Sequence, residues 1–210
     1  MVHLLGDSFD NVILGSKSAR RRDILENILG VKDFITMSSS FAEDLEHSNY
    51  ETPEEYCLET ARHKAHDILA NNHFPESSWL LIVADSIFIK DGRAIEKPKS
   101  LEEAKAFIFD EFRNGKSAAF TALVLVYGHG RTVKSQLSKG YETTVHYWEY
   151  PEELVDSYLE INRGLALDVS GGIAVFGPGA IFISGYEGCF FNAAGLPVQG
   201  LVESIQELVK

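Results

Sequence analysis

Residues 80–89 read LLIVADSIFI, an almost unbroken apolar run that is rich in β-branched side chains. Such a run predicts a strand that is buried on both faces of a sheet. Asp85 interrupts it, and an ionised carboxylate in that setting needs a cation, a metal ion or hydrogen-bond donors to offset its desolvation. We therefore expect Asp85 to be a functional carboxylate that holds a metal ion or activates water. The alternative is a strand-end aspartate that faces solvent.

Upstream of this strand, the sequence predicts a shorter strand, a loop and two helices. Residues 12–14 form a short apolar run, and a helical pattern follows the small and polar residues 15–18. Residues 52–55, Thr-Pro-Glu-Glu, supply an N-cap, a first-turn proline and a capping-box glutamate. These signals predict a helix that continues to about residue 69.

Downstream of the strand, capping and turn signals alternate again. A capping box at residues 100–103 predicts a helix to about residue 112. The β-rich segments 118–126 and 132–147 flank a glycine turn, as expected for adjacent antiparallel strands.

The last part of the chain combines glycine-rich and amphipathic segments. Residues 171–186 are predicted to form a glycine-punctuated β region, and an amphipathic helix is predicted after Pro197. Alternation of strands and helices predicts an α/β fold with a mixed twisted sheet and flanking helices. We expect a single domain over residues 1–210, with two lobes.

The composition excludes several classes of protein. With 45% hydrophobic and 24% charged residues, the 210-residue chain can build a substantial core. Its apolar runs are too short to span a membrane, and residues 1–10 lack a signal-peptide pattern, so we expect a soluble, cytoplasmic chain. A formal net charge of -12 argues against nucleic acid and membrane partners. Cys57 and Cys189 match no metal or redox spacing, which predicts buried free thiols.

An anion-binding loop is predicted at residues 16–22, which read SKSARRR. Because a strand delivers this segment to the start of a helix, hydroxyls, backbone amides and guanidinium groups can converge on one anion. A triphosphate is the natural candidate. An ordinary serine N-cap followed by solvated arginines is the alternative, and the segment lacks the spacing of a Walker A loop.

Further charged residues can act on the same anion. Lys64 on the second helix and Lys97 before Pro98 can reach the phosphates, although each by itself is typical of a surface lysine. Glu43 and Asp44 lie in a polar loop and can add metal ligands, since Mg²⁺ usually takes only one or two carboxylates plus substrate oxygens. Simple solvation of both is the alternative.

Five segments together resemble the Maf family in order and spacing: LGSKSARR at 14–21, ARHKA at 61–65, ADS at 84–86, KPK at 97–99 and NAAGLP at 192–197. The similarity covers nearly the whole chain. The resemblance implies an elongated, two-lobed fold related to the inosine triphosphatases, with a central nucleotide-binding cleft. It also implies a divalent metal ion (Mg²⁺ or Mn²⁺), a homodimer, and hydrolysis of a nucleoside triphosphate to the monophosphate and pyrophosphate.

Under this resemblance, the phosphate-binding positions are Ser16, Arg20, Arg21, Lys64 and Lys97. We expect Ser18, Ser86 and Phe176 to contact the substrate as well. The resemblance also makes Asp85 the catalytic acid or base. We expect Lys64 to assist it in catalysis, and Asp85 and Glu43 to bind the metal ion. Ser86 stands where the family usually has threonine.

One segment departs from the family pattern. The family reads like KAGAYGIQG where residues 169–177 read VSGGIAVFG, so its usual lysine, tyrosine and glutamine are absent. Phe176 can stack on a base but cannot form the hydrogen bonds of a glutamine amide. The base preference is therefore left open. Three functions are compatible with the sequence: a pyrophosphatase for natural or modified nucleotides, a catalytically weak nucleotide-binding regulator, and a phosphohydrolase that acts on another phosphate ester.

Overall fold

A computed structural model describes residues 9–210 of the chain. The expectation about a signal peptide concerns residues 1–10, of which residues 1–8 lie outside the described part. Within the described part, no helix is long and apolar enough to cross a membrane.

Within the described residues, seven strands form one mixed sheet. They are β1 (Asn11–Leu14), β2 (Ile35–Thr36), β3 (Ser78–Lys90), β4 (Arg93–Ile95), β5 (Lys116–His129), β6 (Thr132–Tyr147) and β7 (Ile183–Glu187). Their order is β2-β1-β3-β5-β6-β7, and β4 pairs with β3. β1 is parallel to both β2 and β3, whereas β4 and β7 pair antiparallel with β3 and β6. The predicted α/β class, a mixed sheet with flanking helices, is confirmed.

The helices are α1 (Ala19–Asp23), α2 (Pro53–Asn71), α3 (Leu101–Ala106), α4 (Glu152–Ile161), α5 (Arg163–Leu167), α6 (Phe190–Ala193) and α7 (Val198–Leu208). π-Helical turns extend α1 through Ile24–Ile28 and α3 through Phe107–Phe112. Both predicted N-caps are present, because the hydroxyls of Thr52 and Ser100 each accept a backbone N–H three residues later. The glutamates of the predicted capping boxes, Glu55 and Glu103, accept the N–H of the residue before the cap instead of the N–H of the cap residue. The predicted helices after these caps are confirmed.

The predicted β region at residues 171–186 is wrong over most of its length. Only Ile183–Glu187 forms a strand there, whereas Ser170–Gly172 and Pro178–Phe182 form 3₁₀ turns. Gly171 adopts a φ of 64°, which a strand cannot use, and a Cβ at this position would lie 2.7 Å from the Phe112 ring. Close packing against a buried aromatic ring therefore determines this backbone.

The chain divides into two compact units. Unit 1 contains the described residues up to Ser86, together with Thr121–Tyr141 and Gly195–Lys210. Its core includes the fully buried first half of β3 and the inner face of α2. Unit 2 contains Ile87–Phe120 and Glu142–Ala194, and its core is a cluster rich in phenylalanine and tyrosine. The single two-lobed domain stays a prediction.

Both cysteines are free. Cys57 is buried, as predicted, but Cys189 is partly exposed, so the prediction of two buried thiols is wrong for Cys189. Cys189 is the N-cap residue of the short helix α6, where Thr143 holds its backbone N–H and carbonyl rather than its side chain.

Candidate active site

The loop between β1 and α1 approaches β3 closely because it begins with glycine. The Gly15 N–H donates to the Ile82 carbonyl at 2.8 Å. A Cβ at residue 15 would lie 2.7 Å from Val83 and 2.9 Å from Ile68, so any side chain here would force its neighbours apart. Gly15 therefore allows Ser16 and the residues after it to lie beside the β3 residues that precede Asp85.

Ser16 presents a hydroxyl proton that has no acceptor among residues 9–210. Its Oγ accepts the Ser18 N–H at 3.1 Å and a guanidinium N–H of Arg21 at 3.3 Å. A hydroxyl oxygen has two lone pairs and one proton, so both lone pairs are occupied. No described residue accepts the proton. Ser16 is buried, and its hydroxyl can donate to an anion that enters the loop.

Arg21 connects three segments of unit 1. Its Nε donates to the Gly195 carbonyl at 2.8 Å, its Nη1 to Ser16, and its Nη2 to the Ser86 hydroxyl at 2.9 Å. The Ser86 Oγ also lies 2.9 Å from the Thr121 Oγ1. Burial lowers the pKa of Arg21, whereas the negative charge of Asp85 raises it. The guanidinium is thus a fixed positive group whose geometry orients two hydroxyls.

The other predicted residues of this loop lie on or beside α1. Ser18 is the N-cap of the helix, and its Oγ accepts the Arg21 N–H at 3.4 Å. Arg20 is partly exposed next to Arg21, and its charge lowers the pKa of Arg21. The predicted serine N-cap is therefore confirmed, and it stands beside the Ser16 donor and the partly buried Arg21.

Asp85 is paired with a lysine and does not face solvent. The Lys64 Nζ lies 2.6 Å from the Asp85 Oδ1 and 2.7 Å from the Glu43 Oε2. The side chains of Lys64 and Asp85 are only 14% and 12% exposed, whereas that of Glu43 is 54% exposed. The alternatives of a solvent-facing Asp85 and of a surface Lys64 are therefore wrong. The short distances mark charge-assisted hydrogen bonds, which offset the desolvation of the carboxylate.

Cys57 completes the surroundings of Asp85 and was not predicted as a site residue. Its Sγ lies 3.5 Å from the Asp85 Oδ2, so the thiol donates to the oxygen that Lys64 does not contact. Burial, and then the negative charge of Asp85, raise the pKa of this thiol. The spacing of seven residues between Cys57 and Lys64, two helical turns, is the sequence signal that could have identified it.

The loop that carries Glu43 is attached to α2 by a separate carboxylate. The Asp67 Oδ2 accepts the Ser40 N–H at 2.7 Å and the Ser39 hydroxyl at 2.8 Å. Glu43 itself has a φ of 56°, a conformation that is uncommon for residues other than glycine. Such a backbone is often retained near functional sites.

Glu43 and Asp85 fit a divalent cation that the substrate helps to bind. They are two carboxylates that already share one cation, the Lys64 ammonium. In the described residues, no three histidine, cysteine, aspartate or glutamate side chains converge as a complete metal site. Mg²⁺ typically takes one or two carboxylates together with phosphate oxygens and water, and this pair can supply that number.

Comparisons with known proteins identify the family of the chain. The family model described as Maf-like protein matches residues 11–208. The chain belongs to the Maf family. The dTTP/UTP pyrophosphatase of Saccharomyces cerevisiae is 36% identical over 90% of this chain and 86% of its own length. The dTTP/UTP pyrophosphatase of Pyrococcus abyssi is 30% identical over 93% of this chain and 95% of its own length.

Among solved structures, a nucleoside-triphosphatase/dITP/XTP pyrophosphatase from Mycobacterium abscessus covers 76% of this chain and 97% of its own length. Its sequence identity is 13% and its TM-score is 0.34. The fold class of this Maf-family chain is established by its own mixed sheet and flanking helices.

Two residues predicted for the Maf site lie in unit 2. The Lys97 Nζ lies 3.3 Å from the Asp168 Oδ1, and both side chains are largely exposed. Phe176 is half-buried, and its ring centroid lies 6.0 Å from that of Phe190. Their contribution to substrate binding stays a prediction, whereas unit 1 brings together Ser16, Ser18, Arg21, Ser86 and the group of Lys64, Asp85 and Glu43.

Proposed function

We propose that this chain is a nucleoside triphosphate pyrophosphatase, which hydrolyses the bond between the α and β phosphates and releases the monophosphate and pyrophosphate. The buried Asp85 carboxylate, paired with Lys64 in the same unit as the Ser16 donor, is the observation that carries the proposal. Relatives that are named dTTP/UTP pyrophosphatases and match almost the whole chain support it.

The residues of unit 1 have complementary roles in this reaction. The Ser16 hydroxyl donates to a phosphate oxygen, and Lys64 supplies a mobile positive charge. Asp85 accepts a proton from the water whose oxygen bonds to the α phosphorus, while the bond from that phosphorus to the bridging oxygen breaks. Pyrophosphate leaves with its negative charge partly neutralised by the cationic side chains.

Asp85 and Glu43 are the residues that we propose to hold Mg²⁺ or Mn²⁺. Such an ion neutralises phosphate charge and lowers the barrier for attack by water. Glu43 is the more exposed carboxylate and belongs to a loop, so it can follow a bound ion at little cost to the core.

dTTP and UTP are the first substrates to test, because they are named for the relatives. The segment at 169–177 lacks the family's usual glutamine and has Phe176 in its place, so the base preference of the relatives is not transferred. The same departure favours the second candidate, a regulator that binds nucleotides with little turnover.

To test this function, the purified protein is incubated with Mg²⁺ or Mn²⁺ and a panel of natural and modified nucleoside triphosphates. Monophosphate, pyrophosphate and orthophosphate are measured separately. We expect monophosphate and pyrophosphate, with kcat reduced about a hundredfold or more by Asp85→Asn and kcat/KM reduced about tenfold by Ser16→Ala. Binding without turnover would identify the regulator, and orthophosphate from non-nucleotide esters alone would identify the third function.

We also propose a cytoplasmic homodimer that binds no nucleic acid. The formal net charge of -12 supports a protein without nucleic acid partners. A cytoplasmic location and a homodimer rest on the sequence and the family resemblance.

A further inference from the structure

We propose that Cys57 is a positioning residue for Asp85, because its thiol holds one oxygen of the carboxylate while Lys64 holds the other. The inference rests on the proposed function, in which Asp85 accepts the proton of the attacking water. Cys57 lies outside all five segments that resemble the Maf family.

Two attachment points determine the orientation of the carboxylate. The Cys57 Sγ contacts the Oδ2 at 3.5 Å, and the Lys64 Nζ contacts the Oδ1 at 2.6 Å. The terminal torsion of an aspartate is broad, so a single contact leaves the plane of the carboxylate free to rotate. Contacts on both oxygens, from residues two turns apart on one helix, restrict that rotation. The lone pair that takes the proton is then held in one direction.

The neighbouring groups leave Asp85 as the acceptor of the thiol proton. Cys57 is completely buried, and a thiol is the predominant form of cysteine at neutral pH. Of the other charged groups around it, Arg21 donates to Gly195, Ser16 and Ser86, and Glu43 accepts from Lys64. Complete burial also argues against a role of Cys57 in oxidation or nucleophilic attack.

The test compares two variants of Cys57 that separate hydrogen bonding from packing. Cys57→Val nearly preserves the size of the side chain but removes the donor, whereas Cys57→Ser keeps a donor and places a more polar group in the core. Kinetics are measured with UTP, dTTP and the other triphosphates of the panel in Mg²⁺, and Tm is measured in parallel. Cys189→Val, at the other free cysteine, is the control and is expected to leave kcat unchanged.

If Cys57 positions Asp85, the two Cys57 variants should rank in opposite orders for kcat and for Tm. We expect Cys57→Val to lower kcat about fivefold with KM within about twofold, since one hydrogen bond to a charged group is lost. Cys57→Ser is expected to lose less kcat than Cys57→Val, although its Tm is the lower of the two. If the side chain only fills space, Cys57→Val keeps both the higher Tm and the higher kcat, and the proposal is overturned.

Crystal structures of both variants separate this inference from the proposed function. If the wild type hydrolyses no nucleotide, the pyrophosphatase proposal fails, and the orientation of Asp85 then decides the role of Cys57. A carboxylate that is rotated in Cys57→Val and held in Cys57→Ser supports positioning. The same orientation in both variants overturns it.

Discussion

Replacement of Lys64 by methionine tests how much the buried ion pair between Lys64 and Asp85 contributes to the stability of the protein. Methionine keeps an unbranched side chain of similar length but removes the ammonium that lies 2.6 Å from Asp85 and 2.7 Å from Glu43. The 12% exposed Asp85 carboxylate would then lack its only described ion-pair partner. We expect Lys64→Met to destabilise the protein substantially.

The expected loss in the free energy of unfolding follows from how deeply each partner of Lys64 is buried. Removal of one member of a fully buried ion pair costs about 3–5 kcal/mol, because the other charge is left uncompensated. Asp85 keeps slight exposure, the thiol contact and the nearby positive charge of Arg21, and Glu43 is half-exposed. These features place the loss at about 2–3 kcal/mol, which corresponds to a decrease in Tm of about 4–12 °C for a chain of this size.

Urea denaturation of Lys64→Met, Asp85→Asn and the double variant measures the loss and the coupling. Because Asp85→Asn removes the uncompensated charge, we expect the double variant to lose at least about 1 kcal/mol less than the sum of the single variants. Strict additivity, or a Lys64→Met variant as stable as the wild type, would refute the reasoning.

Lys105→Met is a matched control. The Lys105 Nζ lies 2.7 Å from Glu152 and 2.6 Å from Asp156, but both carboxylates are more than half exposed. Exposed pairs of this kind contribute little to stability, because water and salt screen them. We therefore expect no measurable change in the urea midpoint, so a loss as large as that of Lys64→Met would show that burial is not the cause.

Two further predictions concern the loop carrying Glu43 and the packing of unit 1. The Ser40 N–H, followed by other hydrogen bonds, lowers the pKa of Asp67, so its stabilisation is present above the unfolded pKa of about 3.9 and is lost as the pH falls through the folded value. The Tm deficit of Asp67→Asn is expected at pH 5–7 and should narrow below about pH 4; a deficit independent of pH would contradict this. Gly128→Ala would place a Cβ 2.0 Å from the buried Trp79 ring, and we expect a loss of about 1–3 kcal/mol or more in the free energy of unfolding. As a comparison in unit 2, Gly164→Ala would place a Cβ in α5 that meets no atom within 4 Å beyond its chain neighbours and its own helix backbone, and it should gain about 0.5–1 kcal/mol. Equal effects of the two substitutions would rule out the steric explanation.

The regular elements could largely be predicted because their signals are local. The caps at Thr52 and Ser100 specify where α2 and α3 begin, since each hydroxyl binds an N–H only three residues away. Residues 171–182 could not be predicted in this way. Their glycine-rich composition is compatible with strands and with turns, and packing of Gly171 against Phe112, 59 positions earlier in the chain, determines which one forms.

The sequence by itself determined the family, the α/β class and the residue types of the candidate site, because motif order and periodicity are properties of the chain. Only the tertiary structure decided which side chains meet. Helical spacing places Cys57 and Lys64 on one face of α2, but only the packing of α2 beside β3 brings both to Asp85. Likewise, the SKSARRR segment identifies Arg21 as a cation, whereas the carbonyl of Gly195 and the hydroxyl of Ser86 orient it. Hydrogen bonds and ion pairs act over about 3 Å, so contacts between residues far apart in sequence exist only once the chain has folded.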